Sequence, residues 1–387
     1  MNTRLKQVAD RYLGYLLIAT LLPLTRLLGI TLRRSHKLEK PPQTILFVKI
    51  LGLGSLLLAS GSILQIRKKY PQAKLILLTD RNIAEGIRPF KLFDEFWITE
   101  SGNIFSVLKD TSRFLFKTWK MKNLWVADLE VYSKLTTVFA LMTFALNRFG
   151  FYLGPVFFRK YLNTHNILFD RKGFLEDNYW HMAEAITGEH AKMQPIYQAN
   201  SVSGGSKQFI ALNNTCSDLA PQRKLPDQTF IKLCEWVLEN TSYDLALLGA
   251  ASDKEYNDRI VEGSESISRQ KNRVFNFAGA KDFESYYHFL AVECKALVTI
   301  DSGPLHMARA LGLPTLSIWG PTNPANYLKI FPGEEKHLYH YQQVHCSPCV
   351  HYHRQLPCGG NNFCMKDIET KQLTEKIEIL LRYSEAR

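Results

Sequence analysis

Two successive series of short apolar runs, with a helix-like segment after each run, constrain this chain most. Runs without polar alternation are typical of strands that are buried on both faces of a parallel sheet. The first series occupies residues 45–50, 74–79, 95–99, 124–130 and 148–153. The second series occupies residues 209–213, 243–249, 273–279, 296–301 and 314–320. Because parallel strands need helical crossovers, the sequence predicts an α/β protein with two doubly wound sheets.

The stretch between the two series is polar and rich in turn-forming residues, and it predicts a linker at 191–207. A chain of 387 residues is long enough for two or three domains with cores of their own. We therefore predict four segments. They are a membrane-associated helix at 1–40, an N-terminal Rossmann-like domain at 44–195, a C-terminal Rossmann-like domain at 206–338, and a Cys-rich segment with a closing helix at 339–387.

An apolar stretch near the N-terminus predicts contact with a membrane. Residues 12–25 carry no charge, Arg26 interrupts, and LLGITL follows. A spanning helix needs about 20 apolar residues, and an arginine at its centre costs about 2.5–3.5 kcal/mol. We therefore favour a helix that lies in the membrane interface, while a single spanning helix and a core helix remain open. The basic flanks predict a main body on the cytoplasmic side.

The charge of the chain indicates an anionic partner. It has 48 Lys and Arg residues against 36 Asp and Glu residues, a net charge of +12. Eight basic and two acidic residues lie in 1–40, which accounts for +6 of this excess. Nucleic acid, phosphorylated substrates and an acidic membrane surface all suit such a balance. Because no aromatic-interleaved basic stripe and no zinc-finger spacing occur, we expect no nucleic-acid partner.

The strongest candidate site is the loop DSGPLH at 301–306, which follows an apolar run. Ligands in open α/β sheets bind at the carboxyl ends of strands. Gly303 lets a ligand approach the backbone, and backbone N–H groups at a helix start attract anions. His306 falls in the first predicted turn, where it can face a phosphate. The alternative is a helix start capped by Asp301, with no ligand and an exposed His306.

A second candidate loop follows the first apolar run and contains Gly52, Gly54 and Ser55. Two glycines permit a tight turn and close approach of a ligand to the backbone. A full dinucleotide-binding fingerprint is missing, because Leu57 occupies the last glycine position. A plain strand-to-helix turn is the alternative interpretation.

Two further loops carry polar side chains after apolar runs. Asp128 and Glu130 end the run at 124–130, where a carboxylate can serve in acid–base chemistry or simply cap a helix. The other loop has hydroxyls and cations that can hold a diphosphate, or that are merely solvated. Its candidate residues are Thr215, Ser217, Arg223 and Lys224.

Four of the seven cysteines cluster within 19 residues near the C-terminus. They are Cys346, Cys349, Cys358 and Cys364. Four thiols in a reducing compartment predict a structural zinc site, although the gaps differ from those of a standard zinc ribbon. Free or redox-active thiols are the alternative.

The segment LVTIDSGPLHMARALGLPTLSIWGPTNP at 297–324 resembles the signature of glycosyltransferase family 9, the lipopolysaccharide heptosyltransferases. Residues 45–79 resemble the first βαβ unit of that family, and DLEVYSKL at 128–135 resembles its D-x-Q-x-x-x-K-S segment. The C-terminal cysteines with CMKDI at 364–368 also recur there. The resemblance covers about residues 44–380 and implies a GT-B fold, in which two Rossmann-like domains face a cleft.

The resemblance also implies roles for individual residues. The C-terminal domain would hold the diphosphate of a nucleotide sugar, through Asp301, Ser302, Gly303, His306, Lys224, Thr215 and Ser217. The N-terminal domain would bind a glycolipid acceptor, with Gly52, Gly54, Ser55 and Lys134 in its loops. Such enzymes invert the anomeric carbon without a cofactor. They work at the cytoplasmic face of the bacterial inner membrane, where this chain would be peripheral or singly anchored.

One departure from the family concerns the catalytic base. Ser55 stands where the family typically has Asp, and Glu130 stands where it typically has Gln. A serine hydroxyl has no suitable pKa for a base, so we predict that Glu130 takes the role, with Asp128 as the next candidate. The alternatives are a catalytically degenerate protein that binds the same ligands and a GT-B sugar-nucleotide epimerase, whose soluble substrate does not need a membrane helix.

Overall fold

The structure is a computed structural model, which divides the chain into two compact units, Met1–Gln194 (unit 1) and Pro195–Arg387 (unit 2). It describes residues 3–33, 35–99, 104–190, 193–194, 208–216, 220–350, 352–353 and 355–385. Most of the predicted linker at 191–207 therefore lies outside the described residues.

Unit 1 contains a six-stranded parallel sheet in the order β3-β2-β1-β4-β5-β6. Its strands are β1 (Thr44–Val48), β2 (Lys74–Asp80), β3 (Glu95–Thr99), β4 (Leu124–Asp128), β5 (Asn147–Tyr152) and β6 (His165–Leu168). All five residues of β1 and of β4 are buried, as expected for central strands that helices cover on both faces.

The helices of unit 1 begin with α1 and connect the strands. They are α1 (Thr3–Leu32), α2 (Leu53–Leu58), α3 (Ser60–Lys69), α4 (Arg81–Ile87), α5 (Ile104–Trp119), α6 (Lys134–Met142) and α7 (Leu175–Thr187). A 3-10 helix, Gly154–Tyr161, follows β5. One helical segment, Tyr12–Leu32 in α1, is long and apolar enough to cross a membrane by length and composition. In this structure α1 packs against α6 and the 3-10 helix.

Unit 2 repeats the same topology with six parallel strands in the order β12-β11-β10-β7-β8-β9. They are β7 (Phe209–Asn213), β8 (Asp244–Leu247), β9 (Val274–Asn276), β10 (Cys294–Ile300), β11 (Thr315–Trp319) and β12 (His337–Tyr341). Its helices are α8 (Asp227–Asn240), α9 (Lys254–Glu262), α10 (Glu265–Arg269), α11 (Phe283–Val292), α12 (Gly303–Ala310), α13 (Pro324–Tyr327), α14 (Phe363–Lys366) and α15 (Thr370–Glu385).

The closing helix α15 belongs to unit 2 and completes its core. Leu373, Ile377 and Leu380 recur at helical spacing and are fully buried. They lie in one apolar cluster with residues of α8 and β10. The closing helix of the predicted segment 339–387 thus packs on the second sheet.

The predicted fold class is confirmed, because each unit has the doubly wound strand order 3-2-1-4-5-6. The sequence analysis missed β6 and β12. Both are edge strands with partly exposed residues, and both carry histidine in place of an unbroken apolar run. In each sheet the strand order reverses beside the first strand, between β1 and β4 in unit 1 and between β7 and β10 in unit 2. Ligands of open α/β sheets bind at such points.

Candidate functional site

In unit 1 the reversal point brings Lys49 and Glu130 together. Lys49 follows the last residue of β1, and Glu130 lies two residues beyond β4. The Nζ atom of Lys49 is 3.4 Å from Oε2 of Glu130, and both side chains are largely buried. Burial lowers the pKa of Lys49, but attraction to Glu130, Tyr179 and Asp128 outweighs it and raises the pKa above its usual range. The ammonium group therefore stays charged beside the carboxylate.

The other oxygen of Glu130 holds the loop after β1. Oε1 accepts backbone N–H groups from Ile50 at 2.7 Å and Leu51 at 2.8 Å. These bonds connect the two loops that flank the reversal point. Glu130 thus fixes the backbone of the loop after β1, which contains Gly52 and Gly54 (the glycine loop). Its Oε2 makes the longer contact to Lys49 and is the oxygen that can accept a further hydrogen bond.

The Ser55 hydroxyl forms a hydrogen bond within the glycine loop. Its Oγ donates to the backbone oxygen of Gly52 at 2.8 Å. Gly52 has φ +85°, and a Cβ there would come within 2.9 Å of Oγ of Ser55, so this turn requires glycine. Gly54 lies in the first turn of α2. These three predicted residues form one local turn beside Lys49.

The structure contradicts Asp128 as a catalytic base. Its side chain is fully buried, and Oδ2 is 2.9 Å from Nη2 of Arg159, which is also fully buried. Oδ2 also accepts the hydroxyl of Thr136 at 3.0 Å. Burial raises the pKa of Asp128 to about 6, against the opposing attraction of Arg159. Since β4 ends at Asp128, the strand does not continue to place Asp128 and Glu130 on one face. Asp128 is therefore a structural anchor.

Lys134 is likewise not a loop residue that faces an acceptor in this structure. Its Nζ lies 4.0 Å from Oδ2 of Asp10 and 4.4 Å from the ring centre of Tyr15, both in α1. It also lies 5.5 Å from the ring centre of Phe158. The predicted acceptor contact is therefore corrected, because this lysine is used to hold the N-terminal helix.

In unit 2 the reversal point is organised by Asn213, the last residue of β7, which the sequence analysis did not select. Its Nδ2 donates to Oγ of Ser302 at 2.9 Å and to Oγ1 of Thr299 at 3.1 Å. Its Oδ1 accepts the hydroxyl of Thr215 at 2.9 Å. The signal in the sequence is the amide pair Asn213-Asn214, which directly follows a buried apolar run.

The next residue, Asn214, holds the loop before α8. Its Oδ1 accepts the backbone N–H of Leu225 at 2.8 Å, and its Nδ2 donates to the hydroxyl of Tyr256 at 2.7 Å. The Nζ atom of Lys224 lies 4.6 Å from the ring centre of Tyr256. Asn214 and Tyr256 thus position the predicted cation Lys224 at the carboxyl end of β7.

Helix α12 starts at the predicted anion site, but with different side chains available than expected. The hydroxyl of Ser302, a predicted diphosphate contact, is buried and hydrogen-bonded to Asn213 and Thr299. At Gly303, a Cβ would meet no atom within 4 Å, so the space beside the helix start is open. With Pro304 in the first turn, the helix N-terminus offers backbone dipoles rather than a serine hydroxyl to an anion.

His306 is buried rather than exposed. Burial, with Arg309 and Arg223 nearby, lowers its pKa to about 3, so the imidazole is neutral near pH 7. Its Nδ1 has no hydrogen-bond partner in the described part of the chain. A contact of His306 with a diphosphate stays a prediction, in which the neutral imidazole would donate or accept one hydrogen bond.

The charge at this end of unit 2 comes from Arg223 and Lys224. Nη1 of Arg223 is 3.5 Å from Oδ2 of Asp301, so the predicted residue Asp301 orients an arginine and does not itself offer an anion a donor. The Thr215 hydroxyl is buried against Asn213, and Ser217 lies outside the described residues. Of the predicted donor-binding residues, Lys224 and Gly303 lie beyond the carboxyl ends of β7 and β10, and their contact with a donor stays a prediction.

The four clustered cysteines do not form a preformed metal site. Cys349 and Cys364 are buried, whereas Cys346 and Cys358 are partly exposed. Among the residues that the structure describes, no three Cys, His, Asp or Glu side chains are placed to hold a metal ion. Burial raises the pKa of Cys364 to about 11, so this thiol is protonated near pH 7. A structural zinc ion stays a prediction.

Comparison with known proteins gives a family match. The model for glycosyltransferase family 9 (heptosyltransferase) matches residues 169–358. Lipopolysaccharide heptosyltransferase 2 of Salmonella typhimurium is 27% identical over 148 residues, covering 34% of this chain and 41% of that protein. The Escherichia coli K12 protein of the same name is 24% identical over 185 residues, covering 44% and 51%. The chain thus spans about half or less of the length of these curated relatives.

Solved structures match over more of the chain. The ADP-heptose lps heptosyltransferase II of E. coli superposes with a TM-score of 0.68 at 19% identity, covering 88% of this chain and 99% of that one. The family 9 glycosyl transferase of Veillonella parvula gives a TM-score of 0.69 at 17% identity, covering 90% and 100%. At such identities the likeness shows the fold alone, which is the GT-B-like α/β architecture predicted.

Proposed function

We propose that this chain, whose residues 169–358 match the model of glycosyltransferase family 9 (heptosyltransferase), is an inverting glycosyltransferase. It moves heptose or a related sugar from a nucleotide-diphosphate sugar to a lipopolysaccharide-type or other glycolipid acceptor. The similar E. coli structures are described as an ADP-heptose enzyme and as a heptosyltransferase with ADP, so ADP-heptose is the donor to test first.

The observation that carries this proposal is the arrangement at the reversal point of unit 2. The space beside Gly303, the first residue of α12, is open. Arg223 and Lys224 supply positive charge at the same end of the sheet. A helix N-terminus with nearby cations suits a diphosphate. Unit 2 therefore binds the donor in this proposal, and unit 1 binds the acceptor.

The reaction is a single displacement at the anomeric carbon. The acceptor hydroxyl gives its proton to a base as its oxygen forms the new C–O bond on one face of the sugar. The bond to the diphosphate breaks on the opposite face, and the diphosphate leaves with the electron pair. Arg223, Lys224 and the start of α12 stabilise the negative charge that develops on it.

We assign the base to Glu130, through Oε2. The backbone bonds of Ile50 and Leu51 occupy Oε1 and hold the carboxylate in one orientation, and Lys49 contacts Oε2. A carboxylate held in this way at the end of a central strand is suited to act as a general base. No metal or organic cofactor takes part in these steps, and the structural zinc proposed for the cysteines is separate from them.

One observation favours a second candidate function. Ser55 replaces the family's typical Asp, and the Glu130 carboxylate already has three donors around it. A degenerate protein would keep the ligand-binding geometry and lack turnover. We place the protein at the cytoplasmic face of a bacterial inner membrane, where either function would meet a glycolipid.

A turnover assay separates the two functions. Purified full-length protein is mixed with ADP-heptose and a lipid A-type acceptor, and the mass of the acceptor is measured by mass spectrometry. A mass increase of one heptose with release of ADP supports the transferase. ADP-heptose binding by calorimetry without any product, across several acceptors, supports the binding protein.

A further inference from the structure

Asp10 in α1 and His36 after it both form hydrogen bonds to the rest of unit 1. Near its start, Oδ1 of Asp10 accepts the hydroxyl of Ser133 at 2.7 Å and the backbone N–H groups of Lys134 and Leu135, each at 2.9 Å. Asp10 therefore caps the N-terminus of α6 across more than a hundred residues of sequence. After the helix, Nδ1 of His36 donates to the backbone oxygen of Leu146 at 2.6 Å.

The middle of α1 packs along the same unit. Ile18 is buried in an apolar cluster with Val138 of α6 and Phe158 of the 3-10 helix. At Gly14 the backbones approach so closely that a Cβ would come within 2.5 Å of Cβ of Lys134. Farther along, the guanidinium of Arg26 lies 4.1 Å from the ring centre of Tyr161.

Beyond these contacts, residues 12–32 of α1 expose mainly apolar side chains. We define the tip as Arg26–Leu32, in which every residue is exposed. The most apolar 18-residue window of Tyr12–Leu32 has a mean hydropathy of 1.8, and 11% of that window is buried. The large exposed apolar side chains of α1 are Tyr12, Leu13, Tyr15, Leu16, Leu24, Leu27, Leu28, Ile30 and Leu32.

The threonine hydroxyls of this segment are compatible with a hydrocarbon environment. The hydroxyls of Thr20, Thr25 and Thr31 each donate to carbonyl oxygens three and four residues earlier in α1. They therefore leave no unsatisfied donor toward lipid. Arg26 is the first residue of the tip and Arg33 directly follows it, as expected for cations that meet acidic headgroups.

We propose that α1 is a monotopic anchor whose tip enters one leaflet of a bilayer that contains acidic phospholipids, while Asp10 and His36 stay on the same side of the membrane. Residues 10–32 measure about 33 Å as a helix, close to the thickness of the hydrocarbon layer. A spanning α1 would put Asp10 and His36 on opposite sides. Since both are bound to unit 1, spanning would break either the Asp10 cap or the His36 bond.

The inference deepens the membrane location given under Proposed function and does not depend on sugar transfer. Lipid binding and turnover are measured separately, so either proposal can fail while the other stands.

The first test is flotation of the full chain with vesicles of phosphatidylcholine, with or without phosphatidylglycerol. We expect binding that increases with phosphatidylglycerol, and about a hundredfold weaker binding for Leu27→Glu/Ile30→Glu. The control, Ile379→Glu/Tyr383→Glu, changes two exposed side chains of α15 in unit 2 and should bind like the wild type. Equal binding of the tip variant and the wild type overturns the proposal.

The second test distinguishes the monotopic from the spanning arrangement. The full chain carries a protease-cleavable tag at each terminus, and inverted inner-membrane vesicles are treated with protease. The proposal predicts that both tags are cleaved without detergent. Cleavage of the C-terminal tag alone, with the N-terminal tag released only after detergent is added, would show a spanning helix and overturn it.

Discussion

The side-chain amide of Asn213 donates to the hydroxyl oxygen of Ser302 at 2.9 Å, joining the ends of β7 and β10 where the strand order of unit 2 reverses. The same amide also bonds to Thr299 of β10. This amide therefore sets the position of the residue that precedes α12. A helix start that is held before a ligand arrives can bind an anion without reorganising.

Replacing Asn213 tests this positioning role. In Asn213→Ala the buried hydroxyls of Ser302 and Thr299 lose their amide donor, so we expect the free energy of unfolding to fall by about 1–3 kcal/mol. We also expect weaker binding of ADP to the folded protein. Chemical denaturation and calorimetry measure the two effects. The control is Asn240→Ala, which removes an exposed amide at the end of α8. Unchanged ADP affinity in Asn213→Ala would refute the positioning role.

Replacing Glu130 should lower kcat far more than replacing Ser55. Loss of a general base lowers rates by about 10²–10⁴-fold, so Glu130→Gln should reduce kcat by that factor. The glutamine carbonyl can still accept the N–H groups of Ile50 and Leu51, so donor affinity should hold. Ser55→Ala removes a hydroxyl that bonds to Gly52 and Tyr179 but takes no proton from the acceptor, so it should lower kcat much less. If Glu130→Gln turns over like the wild type with a confirmed acceptor, the base lies elsewhere.

The pair Asp128 and Arg159 should govern stability rather than chemistry. In Arg159→Met the carboxylate of Asp128 stays buried without its partner, which costs about 3–5 kcal/mol of unfolding free energy. The double variant Asp128→Asn/Arg159→Met should recover much of that loss, because no buried charge remains. Thermal unfolding measures both. A fully stable Arg159→Met with greatly reduced kcat would instead point to a catalytic role.

The buried His306 makes stability depend on pH. Burial lowers its pKa from the ordinary 6.5 to about 3. Between these values the unfolded chain binds a proton that the native imidazole does not, so the stabilising contribution is complete above pH 6.5 and is lost as the pH falls toward 3. The difference in unfolding free energy between wild type and His306→Gln should therefore shrink from pH 7 to pH 5.

The control for this measurement is His190→Gln, which removes an exposed imidazole. It reports what the loss of any one histidine does to the unfolding curve. A pH dependence that is the same for wild type and His306→Gln would contradict the burial of a neutral His306.

The sequence predicted what depends on local pattern. Buried apolar runs such as that of β1 identified the central strands, and the position of the loops directly after such runs selected both loops of interest. It did not predict partners that are distant in sequence. Asp128 and Arg159 are 31 residues apart, and Asp10 and Ser133 are 123 apart. Their pairing depends on how the helices pack, which no periodicity reports.

The same limit explains the errors at the site. Ser302 and His306 were predicted to contact a phosphate because they lie at a helix start. Whether such side chains face solvent depends on Asn213 and on the packing of α12, which are known only once the sheet is assembled. Glu130 was selected for its charge, and its role in holding the glycine loop became visible only from its bonds to Ile50 and Leu51.

The central claim is that this chain transfers a sugar with inversion, and the most direct measurement is the product of one reaction. Wild-type protein and Glu130→Gln are each incubated with ADP-heptose and a lipid A-type acceptor, and the new linkage is examined by NMR. The account predicts one added heptose, with an anomeric configuration opposite to that of the donor, and a greatly reduced yield with Glu130→Gln. A product that keeps the donor's configuration, or ADP-heptose binding without any product, would contradict it.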